Sequence, residues 1–121
     1  MPQLIELSTH SSPAGNLSIF EKLLPSDIKR VFYIYGVPPN EQRAKHSHKK
    51  AWNALVCVAG ACRIYVKNGQ TEYYFELKEP NQCLILEPSD WHIMDQFSSD
   101  AVLLVMSNEY YDKGDYIFEK P

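Results

Sequence analysis

The sequence has no uninterrupted apolar run longer than six residues, 101–106 being one such run. A membrane-spanning helix needs ~20. It has no excess of positive charge: 12 Lys and Arg stand against 15 Asp and Glu, a net charge of -3. A general nucleic-acid binder is usually basic, so that class is excluded as the first reading. Its three cysteines, Cys57, Cys62 and Cys83, are an odd number with no CxxC spacing, which fits reduced thiols in a cytoplasmic protein better than a disulfide framework. The first ten residues, MPQLIELSTH, carry neither a basic nor an apolar stretch, so no secretory signal is expected. No repeat, low-complexity segment or linker divides the 121 residues, and a single domain over 1–121 is expected. A sustained 3.6-residue apolar period is also missing, which leaves little room for helices.

What is present is a series of short apolar or aromatic runs separated by turn residues. The runs fall at 17–20, 30–35, 54–58, 62–67, 71–77, 83–86, 92–97 and 102–107, each of strand length and rich in β-branched or aromatic residues. Turn residues between them include Pro38-Pro39-Asn40, Ala59-Gly60, Pro80-Asn81 and Pro88-Ser89-Asp90. Asn68-Gly69, between Tyr65-Val66-Lys67 and Tyr73-Tyr74-Phe75, predicts a two-residue hairpin turn of type I′. Single helical turns are expected at most within 20–28 and 108–113. The pattern predicts an all-β sandwich or small barrel.

Most of the chemical information lies in 36–60. His46 and His48 are two apart, a spacing that on an extended strand places both imidazoles on one face. Histidine titrates near neutrality and suits proton transfer. After His48 come four residues, then Asn53, then six residues, then Gly60. This register resembles the first motif of the cupins, which reads HxH, then Glu, then Gly, with Asn53 in the Glu position. A weaker second match is Pro88-Ser89-Asp90-Trp91-His92, where cupins carry a third His. The resemblance implies a jelly-roll β-barrel of the small cupin type. In metal-binding cupins the three His and the Glu form the metal cage. Here the carboxylate is replaced by an amide, a poor ligand for a divalent transition metal.

The blocks narrow the resemblance. Residues 28–38 around Lys29-Arg30-Val31, then Arg43-Ala44-Lys45-His46-Ser47-His48, 56–60, Val102-Leu103-Leu104-Val105, Tyr110-Tyr111-Asp112 and Asp115-Tyr116-Ile117 are similar to the sugar-nucleotide 3,4-ketoisomerases, the FdtA/QdtA or WxcM-like cupins. That family implies transfer of the ketone of dTDP-4-keto-6-deoxyglucose from C4 to C3 through an enediol in deoxysugar biosynthesis. It implies no metal or other cofactor, a dTDP-linked partner, and a homodimer with paired or exchanged edge strands. On this reading His46 is the leading base and His48 its partner, with the reverse assignment open.

Tyr33 and Tyr35 share one strand face and either place phenols near the sugar or pack in a core or interface. Arg43, Lys45, Lys49 and Lys50 form a cationic stretch that suits a diphosphate, Lys49 and Lys50 reading equally as a solvated edge. Arg30 and Asn53 are candidate substrate contacts, and Trp91 either stacks on the ligand or fills a core. Departures from the family pattern are Ala14 in place of Arg, Phe32 in place of Tyr, Asn53 in place of Gln, and Glu87-Pro88-Ser89-Asp90 before Trp91. Two other functions compete: a metal-dependent cupin using His46, His48 and His92, and a non-catalytic sugar-nucleotide binder.

Overall fold

A computed structural model describes all of residues 1–121. The chain forms twelve strands and a 3-10 turn, with no α-helix: β1 (Gln3–Glu6), β2 (Ser8–Ser12), β3 (Gly15–Ile19), β4 (Arg30–Tyr35), β5 (Arg43–His48), β6 (Asn53–Ala59), β7 (Cys62–Asn68), β8 (Thr71–Leu77), β9 (Gln82–Leu86), β10 (Trp91–Asp95), β11 (Val102–Ser107), the turn Lys113–Asp115, and β12 (Tyr116–Ile117). All strand pairs are antiparallel. They build one five-stranded sheet in the order β1-β9-β6-β11-β4 and a second in the order β12-β5-β10-β7-β8, with β2 and β3 as a separate hairpin.

The two sheets face each other as a jelly roll. Leu55, Leu84, Leu86, Leu103 and Val105 of the first meet Ile64, Val66, Leu77 and Met94 of the second in one core cluster. Each such side chain contributes about 1.5–3 kcal/mol by leaving water. A smaller cluster, Leu7, Ala54, Val56, Cys83, Ile85 and Met106, lies on the other face of the first sheet, partly covered by Phe20 and Leu24. The barrel expected from the resemblance is a two-sheet roll whose sheets do not close. β4 is the edge of one sheet. On the other, β12 covers only Ser47 and His48 of β5. The functional cavity lies between the sheets on this side.

Several expectations change. The β7–β8 turn is Gly69-Gln70 rather than Asn68-Gly69, because Asn68 pairs with Thr71. Gly69 alone has positive φ there, +59°, which fits the Gly-X form of a type II′ turn. Asn68 instead donates from Nδ2 to Asp90 Oδ1 at 2.7 Å. Residues 20–28 contain no helical turn, and the single turn near the C-terminus is Lys113–Asp115 rather than within 108–113. Strands β1, β2, β5 and β12 lie outside the eight expected runs, β5 being the strand that the spacing of His46 and His48 had supposed.

Gly60, the motif glycine, has φ +66°, and a Cβ there would stand 2.7 Å from the Ala101 Cα. Gly60→Ala is therefore expected to destabilise the fold by about 2 kcal/mol or more. Urea unfolding reads this directly, and an unchanged midpoint would contradict it.

Candidate active site

β5 delivers the histidine pair, and β10 fixes its depth. His46 is paired directly with His92 across the β5–β10 ladder, after which the register slips so that Ile93 opposes Ala44 and Met94 opposes Arg43. Lys45 is thus the extra residue of a bulge, and Ala44 and Lys45 both take positive φ, +69° and +60°. Non-glycine residues in that region carry strain of a kind that collects at functional sites. The bulge turns the charged end of Lys45 outward, into a surface groove with Gln42, Arg63 and Asp95. It also resets the alternation, so that Arg43 and Ala44 both line the cavity.

Three imidazoles meet inside. The ring centroids of His46 lie 5.0 Å from His48 and 5.1 Å from His92, and those of His48 and His92 are 6.2 Å apart. Tyr116, opposite His48 in the β12–β5 pair, stands 4.7 Å from the His46 ring and 4.8 Å from that of His48. The facing sheet contributes the row Arg30, Ser107 and Asn53, aligned by the β4–β11–β6 register. The resulting cavity has a volume of about 240 Å³.

Its electrostatics are those of neutral imidazoles held in defined tautomers. His48 Nδ1 lies 3.0 Å from Asp115 Oδ2; the carboxylate accepts, so the ring N–H is at Nδ1 and Nε2 is left bare. His92 Nδ1 likewise donates to the Asp90 carbonyl at 3.0 Å. Burial pushes His92 down to about 3. Burial first, then the neighbouring His48, pushes His46 down to about 4 against the Ala44 carbonyl. Burial also lowers His48, opposed by the Asp115 carboxylate.

These shifts have a sign for stability. Unfolding returns the rings to about 6.5, so the unfolded chain binds more protons than the folded one below that pH. Stability falls as pH drops from 6.5 toward about 4. The urea midpoint is expected to decrease from pH 7 to pH 5, and less so in His92→Gln. A midpoint equal at both pH values in the parent protein would contradict the assignment.

Two polar atoms of the opposing row are buried without a partner, Arg30 Nε and Asn53 Oδ1. The Arg30 guanidinium carbon lies 5.1 Å from the Phe32 ring centroid and 5.7 Å from that of Tyr111. Buried polar atoms left unpaired are costly, and their presence in a cavity marks where a ligand's polar groups make up the loss.

The structure therefore brings together His46, His48, Arg30, Arg43 and Asn53 from the sequence-based set. It does not bring the others. β4 alternates, with Arg30, Phe32 and Ile34 lining the cavity and Tyr33 and Tyr35 facing out, 63% and 67% exposed, their rings stacked at 5.8 Å. Neither phenol reaches the cavity of its own chain; the phenol beside the histidines is Tyr116. Trp91 follows the same parity on β10: it points away from His92 and is buried under the C-terminal tail, its Nε1 donating to the Phe118 carbonyl at 3.2 Å. Lys49 and Lys50 are exposed. Asp115 and Tyr116 belong to the site although residue spacing gave neither a role; they are 67 and 68 residues from His48, with no local spacing to connect them.

The metal-ion alternative does not fit these residues. No group of three or more His, Cys, Asp or Glu side chains stands as a ligand set, and the fourth position of the cage is the neutral Asn53.

Comparison with known proteins gives the family. The family model FdtA: WxcM-like, C-terminal matches residues 1–120. The chain is 42% identical over 105 residues to the TDP-4-oxo-6-deoxy-alpha-D-glucose-3,4-oxoisomerase of Aneurinibacillus thermoaerophilus, covering 85% of this chain and 76% of the relative. The crystal structure of QdtA, a sugar 3,4-ketoisomerase from Thermoanaerobacterium thermosaccharolyticum in complex with TDP, superimposes with a TM-score of 0.92 at 38% identity, covering 98% of this chain and 88% of that one. The TDP-quinovose 3,4-ketoisomerase WlaRB of Campylobacter jejuni gives 0.92 at 32% identity, over 98% and 92%. This chain belongs to the FdtA family of WxcM-like, C-terminal domains.

Proposed function

We propose that the protein is a 3,4-ketoisomerase acting on dTDP-4-keto-6-deoxyglucose, for deoxysugar biosynthesis. The observation that carries this reading is the convergence of the His46 and His48 rings, 5.0 Å apart, with Arg30 and Asn53 in one cavity. Moving a ketone from C4 to C3 transfers two protons. An imidazole takes the C3 proton, the C3–H electron pair becomes the C3=C4 bond, and the carbonyl pair moves to O4, which is protonated. The enediol then loses the O3 proton, C3=O forms, and C4 receives a proton. Only protons move, between C3 and C4 and between O3 and O4, and two adjacent titratable rings suit this traffic. Arg30 faces them across the cavity and supplies fixed positive charge for the enediolate oxygen. Arg43 is placed to bind the diphosphate, Arg being suited to bidentate contact with phosphate.

The test is to incubate the purified protein with dTDP-4-keto-6-deoxyglucose, reduce with borohydride and analyse the sugars. Isomerisation gives 6-deoxyhexoses epimeric at C3. Products epimeric only at C4 would overturn the proposal.

The functional unit is proposed to be a homodimer. Val31, Tyr33 and Tyr35 expose a row of apolar side chains on an edge strand. The β2–β3 hairpin is almost wholly exposed, and such a hairpin is marginal without a partner. Light scattering at twice the monomer mass, falling to the monomer mass in Tyr33→Asp/Tyr35→Asp, is expected; a monomeric parent would refute it. No helix of the chain is long and apolar enough to cross a membrane, and the three free, buried cysteines support a place in the reducing cytoplasm.

A further inference from the structure

We infer that Asn53 is a specificity-determining residue whose Oδ1 accepts a hydrogen bond from a ring hydroxyl of the bound sugar. The cavity then selects sugars that carry this hydroxyl over their deoxy analogues; this rests on the proposed isomerase reading. Asn53 opens β6 inside the first sheet, paired with Ser107 on one side and Leu86 on the other. The residue before it is tied to Asn108 in both directions. Trp52 N–H donates to Asn108 Oδ1 at 2.8 Å, and Asn108 N–H to the Trp52 carbonyl at 3.3 Å. The backbone at Asn53 is therefore held, and its side chain lines the cavity. Asn53 is 5% exposed, and its Oδ1 is buried with no hydrogen-bond partner.

The donors nearby are committed elsewhere. A neutral imidazole has a single N–H. That of His48 goes to Asp115, that of His92 to the Asp90 carbonyl and that of His46 to the Ala44 carbonyl. Arg30, at the far end of the Arg30–Ser107–Asn53 row, has an unpartnered Nε of its own. The next pair along β6 and β11 on the cavity side, Leu55 and Val105, is apolar.

An unpaired acceptor in such a wall is costly until something donates to it. A ketone oxygen, an ionised phosphate and a C–H group cannot serve; a hydroxyl does. dTDP-4-keto-6-deoxyglucose carries ring hydroxyls at C2 and C3, and either has the required chemistry. Arg30 Nε, the orphan donor of the same wall, takes the complementary group, an oxygen that accepts. A site built around a substrate hydroxyl rejects the analogue that lacks it, because the buried protein group is then left unpaired.

The probe is dTDP-6-deoxyglucose, which has no ketone and does not react, compared by calorimetry with its 2-deoxy and 3-deoxy analogues and with TDP alone. In the parent at least one of the two analogues is expected to bind about tenfold or more weakly. The analogue that is weakened identifies the hydroxyl. Asn53→Leu and the smaller Asn53→Ala both remove the acceptor. In either variant the sugar and its analogues should bind within about threefold of one another, and TDP within about threefold of its parent value. The melting temperature of the Leu variant should not fall, since an unpaired buried acceptor is gone.

Equal binding of the sugar and both analogues to the parent overturns the inference without any variant. So does a discrimination that persists undiminished in the folded Leu or Ala variant, since another residue then reads the hydroxyl. A parent that binds neither TDP nor dTDP-6-deoxyglucose defeats the nucleotide-sugar reading and the specificity with it. That result differs from one in which TDP binds and the hydroxyls make no difference, which defeats the role of Asn53 alone.

Discussion

His48→Asn is expected to lower kcat by about three orders of magnitude, at the upper part of what a positioned acid–base group contributes. The variant should still fold and still bind the nucleotide sugar. Asn offers a donor near the position of Nδ1, so the contact to Asp115 Oδ2 has a replacement and the carboxylate is not left with an empty acceptor. What is lost is Nε2, the atom that faces the cavity. His46→Asn is expected to cost as much or more, because on the family resemblance that ring is the leading base, and it shares the cavity with His48 at 5.0 Å. Stopped-time assays on both variants, with thermal melts alongside, check both losses. Full activity in either variant contradicts a role for that ring in proton transfer, and an inactive protein that has lost its melting transition indicates only misfolding.

Arg30→Met has the second large effect, and its signature is a split between activity and stability. The Arg30 Nε is buried without a hydrogen-bond partner, so the free protein bears an uncompensated desolvation cost that a ligand oxygen relieves. Met keeps the apolar stem against Phe32 and removes the charge. Activity, read as kcat/KM, should fall about a hundredfold or more, the scale of losing one charge-stabilising donor. The melting temperature should stay level or rise. A variant destabilised while retaining activity would show Arg30 to be a structural residue instead.

The strands that form the core were legible because their residues leave little alternative. Runs such as Cys62–Asn68 and Val102–Ser107 are β-branched, apolar and too short for buried helices. Ser8–Ser12 has no apolar residue and is exposed throughout; its pairing with β3 supplies the only reason it is a strand. The site was legible where two functional residues share one strand. His46 and His48 needed only the two-residue period.

The same rule correctly put Tyr33 and Tyr35 on one face, yet a strand does not say which of its faces is inward. That is set by β4 pairing with β11, which turns Arg30, Phe32 and Ile34 to the cavity. Trp91 fails for the same reason, since its neighbour His92 takes the inner face. Arg43 reaches the cavity only because the bulge at Lys45 resets the alternation. Asp115 is brought to His48 by the return of the C-terminal segment along β5, a long-range contact that no local spacing encodes.

The central claim is that this cavity moves a ketone by proton transfer through an enediol. Proton NMR of the purified protein with dTDP-4-keto-6-deoxyglucose in deuterated water tests it most directly. The account predicts the 3-keto isomer with deuterium at C4. An unchanged 4-keto sugar at full substrate excess, with its resonances broadened by binding, would contradict it and leave a binding protein built on the isomerase fold.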